Sequence, residues 1–295
     1  MMAPPPSVPD SAATRSGETN LDEPRWLEIL EMARDTAGPR LILTGAGISA
    51  ESGIPTFRGS EGYWQVGSRH YQPTELATLS AFTQMPAEIW AWYLYRRAVC
   101  RAASPNPAHQ ALVDLELALT DRFLLVTQNV DGLHLRAGNS LGRTYQIHGN
   151  LDYARCSAQC HPGVQPLPET VSEWEKDQPL DPQTSALLRC SECGAWLRPH
   201  VLWFDECYDE ARYRFDSSMA AAQSCGFLVV IGTSGATNLP MQIATLAAAR
   251  GIPWVVVDPQ PSAFTSMAEA SDAGCFLRGA AGEWVPRLCE QLSAS

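Results

Sequence analysis

Short, continuous apolar runs alternate along the chain with longer amphipathic stretches. The runs "RLILTGAG" (40–47), "RFLLVTQN" (122–129), "TYQIHGN" (144–150), "FLVVIGTSG" (227–235) and "IPWVVVDPQ" (252–260) are rich in β-branched residues and end in glycine or polar clusters. That is how strands buried on both faces read. Several are separated by segments such as "PAHQALVDLELALT" and "LPMQIATLAAARG", whose apolar positions recur at helical spacing. The pattern predicts an α/β fold, a mostly parallel sheet with helices on both faces. In such sheets ligands lie beyond the carboxyl ends of the strands. Polar clusters follow these strands, so the expected site is assembled from segments far apart in sequence.

Two regions interrupt the alternation. Residues 60–101 read as a helical module whose strongest helix is "PAEIWAWYLYRRAVCRAA", and 153–202 as a Pro-rich insert bracketed by cysteine pairs. Both are expected to be parts of a second, smaller domain. The main domain is then 25–59, 102–152 and 203–295. The first 24 residues, rich in Pro, Ser and Ala, are expected to be a disordered tail.

Charge narrows the partners. Across 295 residues, 21 Lys and Arg stand against 32 Asp and Glu, a net charge of −11. This argues against direct nucleic-acid binding and against an anionic membrane surface. The longest apolar runs fall short of a bilayer span. The sequence assigns no oligomeric state. With no secretion signal, the nine cysteines point to a reducing, cytoplasmic setting, where clustered cysteines hold metal more often than they form disulfides. Cys156-x-x-x-Cys160 and Cys190-x-x-Cys193 each supply two vertices of a tetrahedron, as a closed structural zinc site requires. Gly194 suits the tight turn that brings backbone N–H groups to the sulfurs.

The loop "TGAGISAESGIPTFRG" (44–59) follows the first apolar run. Gly45, Gly47 and Ala50 match a relaxed dinucleotide fingerprint, in which glycines allow close approach and free N–H groups face a pyrophosphate. The acidic ribose reader expected about 20 residues on is missing, because Gln65 stands there. Alone, the loop fits either a dinucleotide turn or a glycine-rich turn with no ligand. His148 alone fits a structural histidine closing a strand, and Asn129 and Asp131 alone fit turn formers.

Together and in this order, the loop, "TQNVDGLH", "IHGN", the two cysteine pairs, "GTS" after a strand and "GAAGEWVPRL" resemble the sirtuins, NAD-dependent protein lysine deacylases, from about Trp26 to Leu292. The resemblance implies a Rossmann-like domain with an inserted zinc-binding and helical domain. It also implies NAD consumed as co-substrate, one structural zinc, and acylated-lysine proteins or peptides as partners. Gly45, Ala46, Gly47, Ser49, Ala50 and Thr56 would then cover the cofactor, with Phe57 and Arg58 in a mobile loop. Gln128, Asn129 and Asp131 would grip ribose and nicotinamide. Gly232, Thr233, Ser234, Asp258 and Ala281 would lie on the adenosine side. His148 would be the general base on the ribose hydroxyls, a task suited to its pKa range.

"RPHVLWFDE" resembles the family's substrate-binding strand, where Leu202 and Phe204 would contact the acyl-lysine and Trp203 would belong to the core. Asp205 stands where the family usually has glycine, which bears on peptide register. Tyr93 and Arg96 match the Tyr-x-x-Arg pair of sirtuins that prefer acidic acyl groups, and Ala81 matches a small residue that widens their pocket. A guanidinium can take a carboxylate bidentately and a tyrosine hydroxyl can add a hydrogen bond. The expected activity is removal of succinyl, malonyl and related acyl groups from lysine. The alternatives are an acetyl-preferring deacetylase, an ADP-ribosyltransferase or NAD hydrolase, and an idle NAD sensor.

Overall fold

A computed structural model describes residues 23–56, 73–171 and 173–293 of the chain. The Pro-rich segment through Asp22, Phe57, Arg58, Gln65 and the start of the helical module lie outside the described residues. Glu23 and Pro24, assigned from sequence to the tail, instead open a helix, Glu23–Arg34. Trp26, Ile29, Leu30 and Ala33 are buried along it, the i, i+3, i+4, i+7 stripe of a helix packed on a core.

The strands are β1 (Arg40–Thr44), β2 (Phe123–Thr127), β3 (Thr144–Gln146), β4 (Gly149–Cys156), β5 (Val164–Pro166), β6 (Leu197–Val201), β7 (Phe227–Ile231), β8 (Trp254–Asp258) and β9 (Gly274–Arg278). Six form one parallel sheet in the order β3-β2-β1-β7-β8-β9. Counted within that sheet, the order is 3-2-1-4-5-6, the doubly wound dinucleotide-binding topology. The chain reverses its winding direction between β1 and β7, the point beyond whose carboxyl ends ligands bind in sheets of this order.

Side chains alternate between two buried faces. Ile42, Leu125, Val229 and Val255 join the helices Glu23–Arg34, Pro107–Leu119 and Ala281–Ser293 on one side. Leu41, Leu43, Val126, Val230 and Val256 meet the helix Asn238–Ala249 on the other. Burial on both faces is why these strands read as unbroken apolar runs. β9 completes the edge; its run "CFLR" is too short to stand out by hydropathy, although Gly274 and Gly279 bracket it.

A third core lies off the sheet. The helix Pro86–Ala102 contributes Ile89, Trp90, Trp92, Tyr93, Leu94 and Cys100, and packs with Ala81 and Phe82 against Leu151, Cys156, Cys190 and Trp203. The helical module and the insert therefore share one apolar interior. Polar ties reinforce it: Trp90 Nε1 donates to the Leu197 carbonyl at 2.7 Å, and buried Arg97 donates to Asp152 at 2.8 Å and to the Val171 carbonyl at 3.0 Å. The insert builds a small antiparallel sheet, β5-β4-β6. Among the described residues no helix is long and apolar enough to cross a membrane.

Candidate active site

The loop after β1 meets the loop after β7 at the reversal point. Gly45 N–H donates to the Ile231 carbonyl at 2.9 Å and Gly47 N–H to the Gly232 carbonyl at 2.8 Å. These two donors stitch the loops together, so the expectation that they face a pyrophosphate is corrected. What requires glycine is the approach of the two backbones. A Cβ on Gly47 would lie 2.5 Å from Gly232 Cα, and Gly232 itself has φ +60°. The residues Ala46–Ser52 form a 3-10 helix, ended by Gly53 at φ +81°. Ala50 is exposed on it, Ser49 is buried, and Thr56 follows, half-buried.

Ser49 ties this turn to the loop after β2. Its hydroxyl donates to Asp131 Oδ2 at 2.7 Å, while Asn129 Nδ2 donates to the Gly45 carbonyl at 3.0 Å and to Ser49 Oγ at 3.2 Å. Asp131 Oδ1 accepts from Leu133 N–H at 2.8 Å. Burial still raises the Asp131 pKa above the usual carboxylate range, against the pull of Leu133 and Ser49. Gln128 Nε2 reaches the Thr233 hydroxyl at 2.8 Å, and Thr237 Oγ1 donates to Gln128 Oε1 at 2.9 Å. The three strand-end loops thus share one buried polar network. Asp258 ends β8 beside them, with burial raising its carboxyl. Ala281 begins the last helix, where the next residue, Gly282, donates its N–H to Glu51 at 2.6 Å.

His148 follows β3, half-buried, with Nε2 2.8 Å from the Tyr208 hydroxyl. Burial pushes its pKa down to about 4, opposed by a backbone hydrogen bond with Gln128, so the ring is neutral near pH 7. Its carbonyl accepts from Leu202 N–H at 3.0 Å, which joins the segment after β6 to the site. That segment departs from the expectation of a strand through Phe204, since β6 ends at Val201. Leu202 is half-buried and Phe204 is 57% exposed, with its N–H bonded to the Ala77 carbonyl at 3.0 Å.

Asp205 accounts for the end of the strand. Its carboxylate accepts from Leu79 N–H at 2.7 Å and Ser80 N–H at 3.1 Å, satisfying open donors at the start of the helix Leu79–Gln84. That helix carries Ala81. Beside it, Trp203 Nε1 donates to the Tyr93 hydroxyl at 2.8 Å, and the Phe82 and Trp203 rings lie 5.3 Å apart. Indole N–H is a donor only, so the Tyr93 oxygen accepts and keeps its own proton to give. Arg96, 5% exposed, sets its guanidinium 4.7 Å from the Trp92 ring and 5.6 Å from the Tyr93 ring. Ala81, Tyr93 and Trp203 belong to one apolar cluster, and Arg96 is buried on the same helix as Tyr93.

The four cysteines converge at one end of the insert. Cys156 Sγ lies 3.5 Å from both Cys193 and Cys160, Cys160 lies 3.6 Å from Cys190, and all four sulfurs fall within 4.8 Å of one another. These spacings are too long for disulfides. A tetrahedron with metal–sulfur bonds of about 2.3 Å needs sulfurs about 3.8 Å apart, so the set fits zinc. Gly194, at φ +73°, makes the turn, and backbone N–H groups of Cys193 and Glu192 hold the Cys190 thiol well below its usual range. Four protein ligands leave no open position, so such a metal serves structure.

Reading residue types in order misses Tyr208 and Thr237; His109 and His134, read from the sequence as structural or loop residues, are a buried pair whose rings lie 4.9 Å apart. His134 contacts the Thr44 hydroxyl at 3.0 Å, and His109 belongs to the capping box that starts Pro107–Leu119. Tyr208 has no periodic or motif signal; only folding brings it to His148.

The strand order, the glycine-lined reversal point and the cysteine-clamped insert define a dinucleotide-binding α/β fold with a metal-ribbon module. The sequence profile of the Sir2 family matches residues 45–238. The NAD-dependent protein deacylase of Leptospira interrogans is 40% identical over 265 residues, covering 90% of this chain and 97% of that protein. The NAD-dependent protein deacylase 1 of Pseudomonas aeruginosa is 40% identical over 255 residues, 85% and 94% of the two chains. A solved Sir2 homologue–NAD complex is similar with a TM-score of 0.73 at 32% identity, covering 91% of this chain and 94% of that one. This chain belongs to the Sir2 family, the sirtuins.

Proposed function

We propose that the protein is an NAD-dependent protein lysine deacylase that prefers acyl groups ending in a carboxylate. The deacylase reading rests on family membership together with the polar network at the strand ends, which gathers Ser49, Gln128, Asn129, Asp131 and Thr233 where a dinucleotide binds in this topology. NAD is the co-substrate. Asn129 and Asp131 recognise the nicotinamide carboxamide, and burial of both keeps water from the glycosidic carbon as positive charge develops there. The acyl oxygen bonds C1′ as the bond to nicotinamide breaks; neutral His148 then takes a proton from a ribose hydroxyl, which attacks the carbon of the resulting alkylimidate, and one water is consumed as the lysine amine leaves. The products are free lysine, nicotinamide and O-acyl-ADP-ribose. Zinc on Cys156, Cys160, Cys190 and Cys193 holds the insert.

The acyl preference rests on one observation: a buried guanidinium, Arg96, stands one helical turn from Tyr93, whose hydroxyl proton is left to donate. Together they offer a carboxylate a planar fork and a third donor. Mass spectrometry of purified protein with NAD and matched acetyl-, malonyl-, succinyl- and glutaryl-lysine peptides tests both parts. Faster loss of the acidic groups with accumulation of O-acyl-ADP-ribose supports the reading. Faster acetyl removal leaves a deacetylase, and nicotinamide release without acylated peptide replaces deacylation with NAD hydrolysis or ADP-ribosyl transfer.

A further inference from the structure

His148 has two polar neighbours at its ring. One nitrogen, Nε2, lies 2.8 Å from the Tyr208 hydroxyl, and the other is left for the backbone of Gln128. We assign the neutral tautomer that carries its proton on Nδ1. In the neutral ring Nε2 then holds the lone pair, and Tyr208 O–H is its donor. The lone pair that would accept a ribose proton is thus already engaged by a side chain of this protein.

Tyr208 is itself connected. The Thr237 hydroxyl contacts the Tyr208 hydroxyl and donates to Gln128 Oε1 at 2.9 Å. Gln128 Nε2 donates in turn to Thr233 Oγ1 at 2.8 Å and to the Thr44 carbonyl at 3.3 Å. Thr237 gives its proton to Gln128, so its oxygen stands beside Tyr208 as an alternative acceptor. The Tyr208 ring is held between His148 at 5.8 Å and Phe215 at 6.2 Å, centroid to centroid. The ring is therefore packed in place while its hydroxyl hydrogen remains free to rotate.

We propose that Tyr208 is a positioning residue for His148: its hydroxyl orients the imidazole by bonding the Nε2 lone pair, and Thr237 Oγ1 is the acceptor to which that proton turns when a ribose hydroxyl takes its place. The inference rests on the reading of His148 as the general base. An imidazole nitrogen has one lone pair, so a ribose hydroxyl that donates to Nε2 must take the place of Tyr208. The released tyrosine hydroxyl turns to Thr237, leaving no buried donor without a partner. Before NAD arrives, the hydrogen bond favours the neutral ring, because it is accepted by the lone pair that protonation removes. Burial acts in the same direction on His148, and by pushing the Tyr208 pKa up to about 12 it keeps that hydroxyl protonated throughout the working range.

The test is Tyr208→Phe, which keeps the ring and removes the hydroxyl, with Thr237→Val as a second variant that leaves Tyr208 in place. The ring of His148 is titrated by NMR in histidine-labelled protein without cofactor, and the acid limb of kcat/KM for NAD is measured beside it. In Tyr208→Phe the His148 midpoint should rise by about half to one pH unit, the size of one neutral hydrogen bond lost from the neutral form. The acid limb should move with it. Thr237→Val, which removes the competing acceptor of the Tyr208 hydroxyl, should move both in the opposite direction by less. An unchanged His148 titration in folded Tyr208→Phe overturns the proposal; if that variant does not fold, an unchanged titration in Thr237→Val does so. A midpoint that rises while the acid limb stays, with turnover surviving in His148→Gln, keeps the Tyr208 contact but removes His148 from the base role. The two readings therefore fail separately.

Discussion

Arg96→Met removes the charge from the proposed acyl wall and keeps a side chain of comparable length. Arg96 is 95% buried and packs on the Trp92 and Tyr93 rings, so a substrate carboxylate that reaches it leaves water. Hydrogen bonds to charged groups contribute about 1.5–3 kcal/mol each, which corresponds to about a 10- to 150-fold loss in kcat/KM for a succinyl peptide. An acetyl group brings no carboxylate, so its kcat/KM should change by less than about threefold, the range expected of a packing adjustment. The assay is initial-rate mass spectrometry on succinyl and acetyl forms of one peptide at saturating NAD, with thermal melts to check that the helix Pro86–Ala102 still packs. Arg96→Lys should fall between, keeping the charge but not the planar fork. Tyr93→Phe gives a different signature. It leaves Trp203 Nε1 without its acceptor, so stability falls as well as succinyl turnover. Equal losses on succinyl and acetyl peptides in Arg96→Met, in a protein that melts normally, would refute the carboxylate clamp.

Cys190→Ser, or treatment with a chelator, should release about one zinc per chain and unfold the insert, because binding free energy at such a site is folding free energy; full zinc content with an unchanged melt would exclude the four-cysteine site. Asp205→Ala removes the acceptor of the Leu79 and Ser80 N–H groups while the Thr78 cap remains, and should cost about 1 kcal/mol of stability. It should raise KM for peptide more than it lowers kcat, and a kcat effect alone would count against its link to the peptide segment. Stability should also fall as pH drops from about 6.5 toward 4. Burial lowers the His109 and His200 pKa values from 6.5 to about 4 and His134 further. Between those limits the unfolded chain binds more protons. By linkage, fully buried His109 alone should lose about 2 kcal/mol by pH 5, with buried Asp131 and half-buried Asp258, raised in pKa, working in the opposite sense. Urea midpoints that do not differ between pH 7.5 and pH 5 would contradict this account.

The parallel sheet was legible because strands buried on both faces leave an unbroken hydrophobic trace, as in "RLILT" and "FLVVI". Helices with one buried face, such as Pro107–Leu119 and Asn238–Ala249, were legible for the complementary reason. β9 and the small antiparallel sheet were not, since short strands such as Val164–Pro166, wholly exposed, carry little pattern. At the site, the cysteine pairs and "TQNVDG" announce themselves by spacing. Tyr208 and Asp205 do not, because their partners lie 60 and more than 120 residues away in sequence. Local sequence reports what a segment buries; it does not report which distant hydroxyl or amide will meet an isolated polar side chain. The glycines of the first loop were recognisable, but their physical reason was legible only in three dimensions. Gly47 is required by Gly232, not by N–H groups open to a ligand.

The third core links features that the sequence keeps apart. Cys156 and Cys190 are buried in the same apolar interior as Ala81, Tyr93 and Trp203. Trp203 donates to Tyr93 on one side and on the other stacks against Arg198, 3.5 Å from its ring, whose guanidinium is held by Glu206 at 2.5 Å and 2.7 Å. Glu206 also accepts from Trp203 N–H at 3.0 Å. The proposed acyl wall is therefore braced by the strand that leads out of the cysteine-clamped turn, β6, and by the segment proposed to contact the peptide. The cofactor network leans instead on β1, β2 and β7, whose cores lie on the sheet. Disturbing the metal module should therefore weaken recognition of the acyl group and peptide before it weakens the hold on NAD, because the structural cluster it shares is with the former.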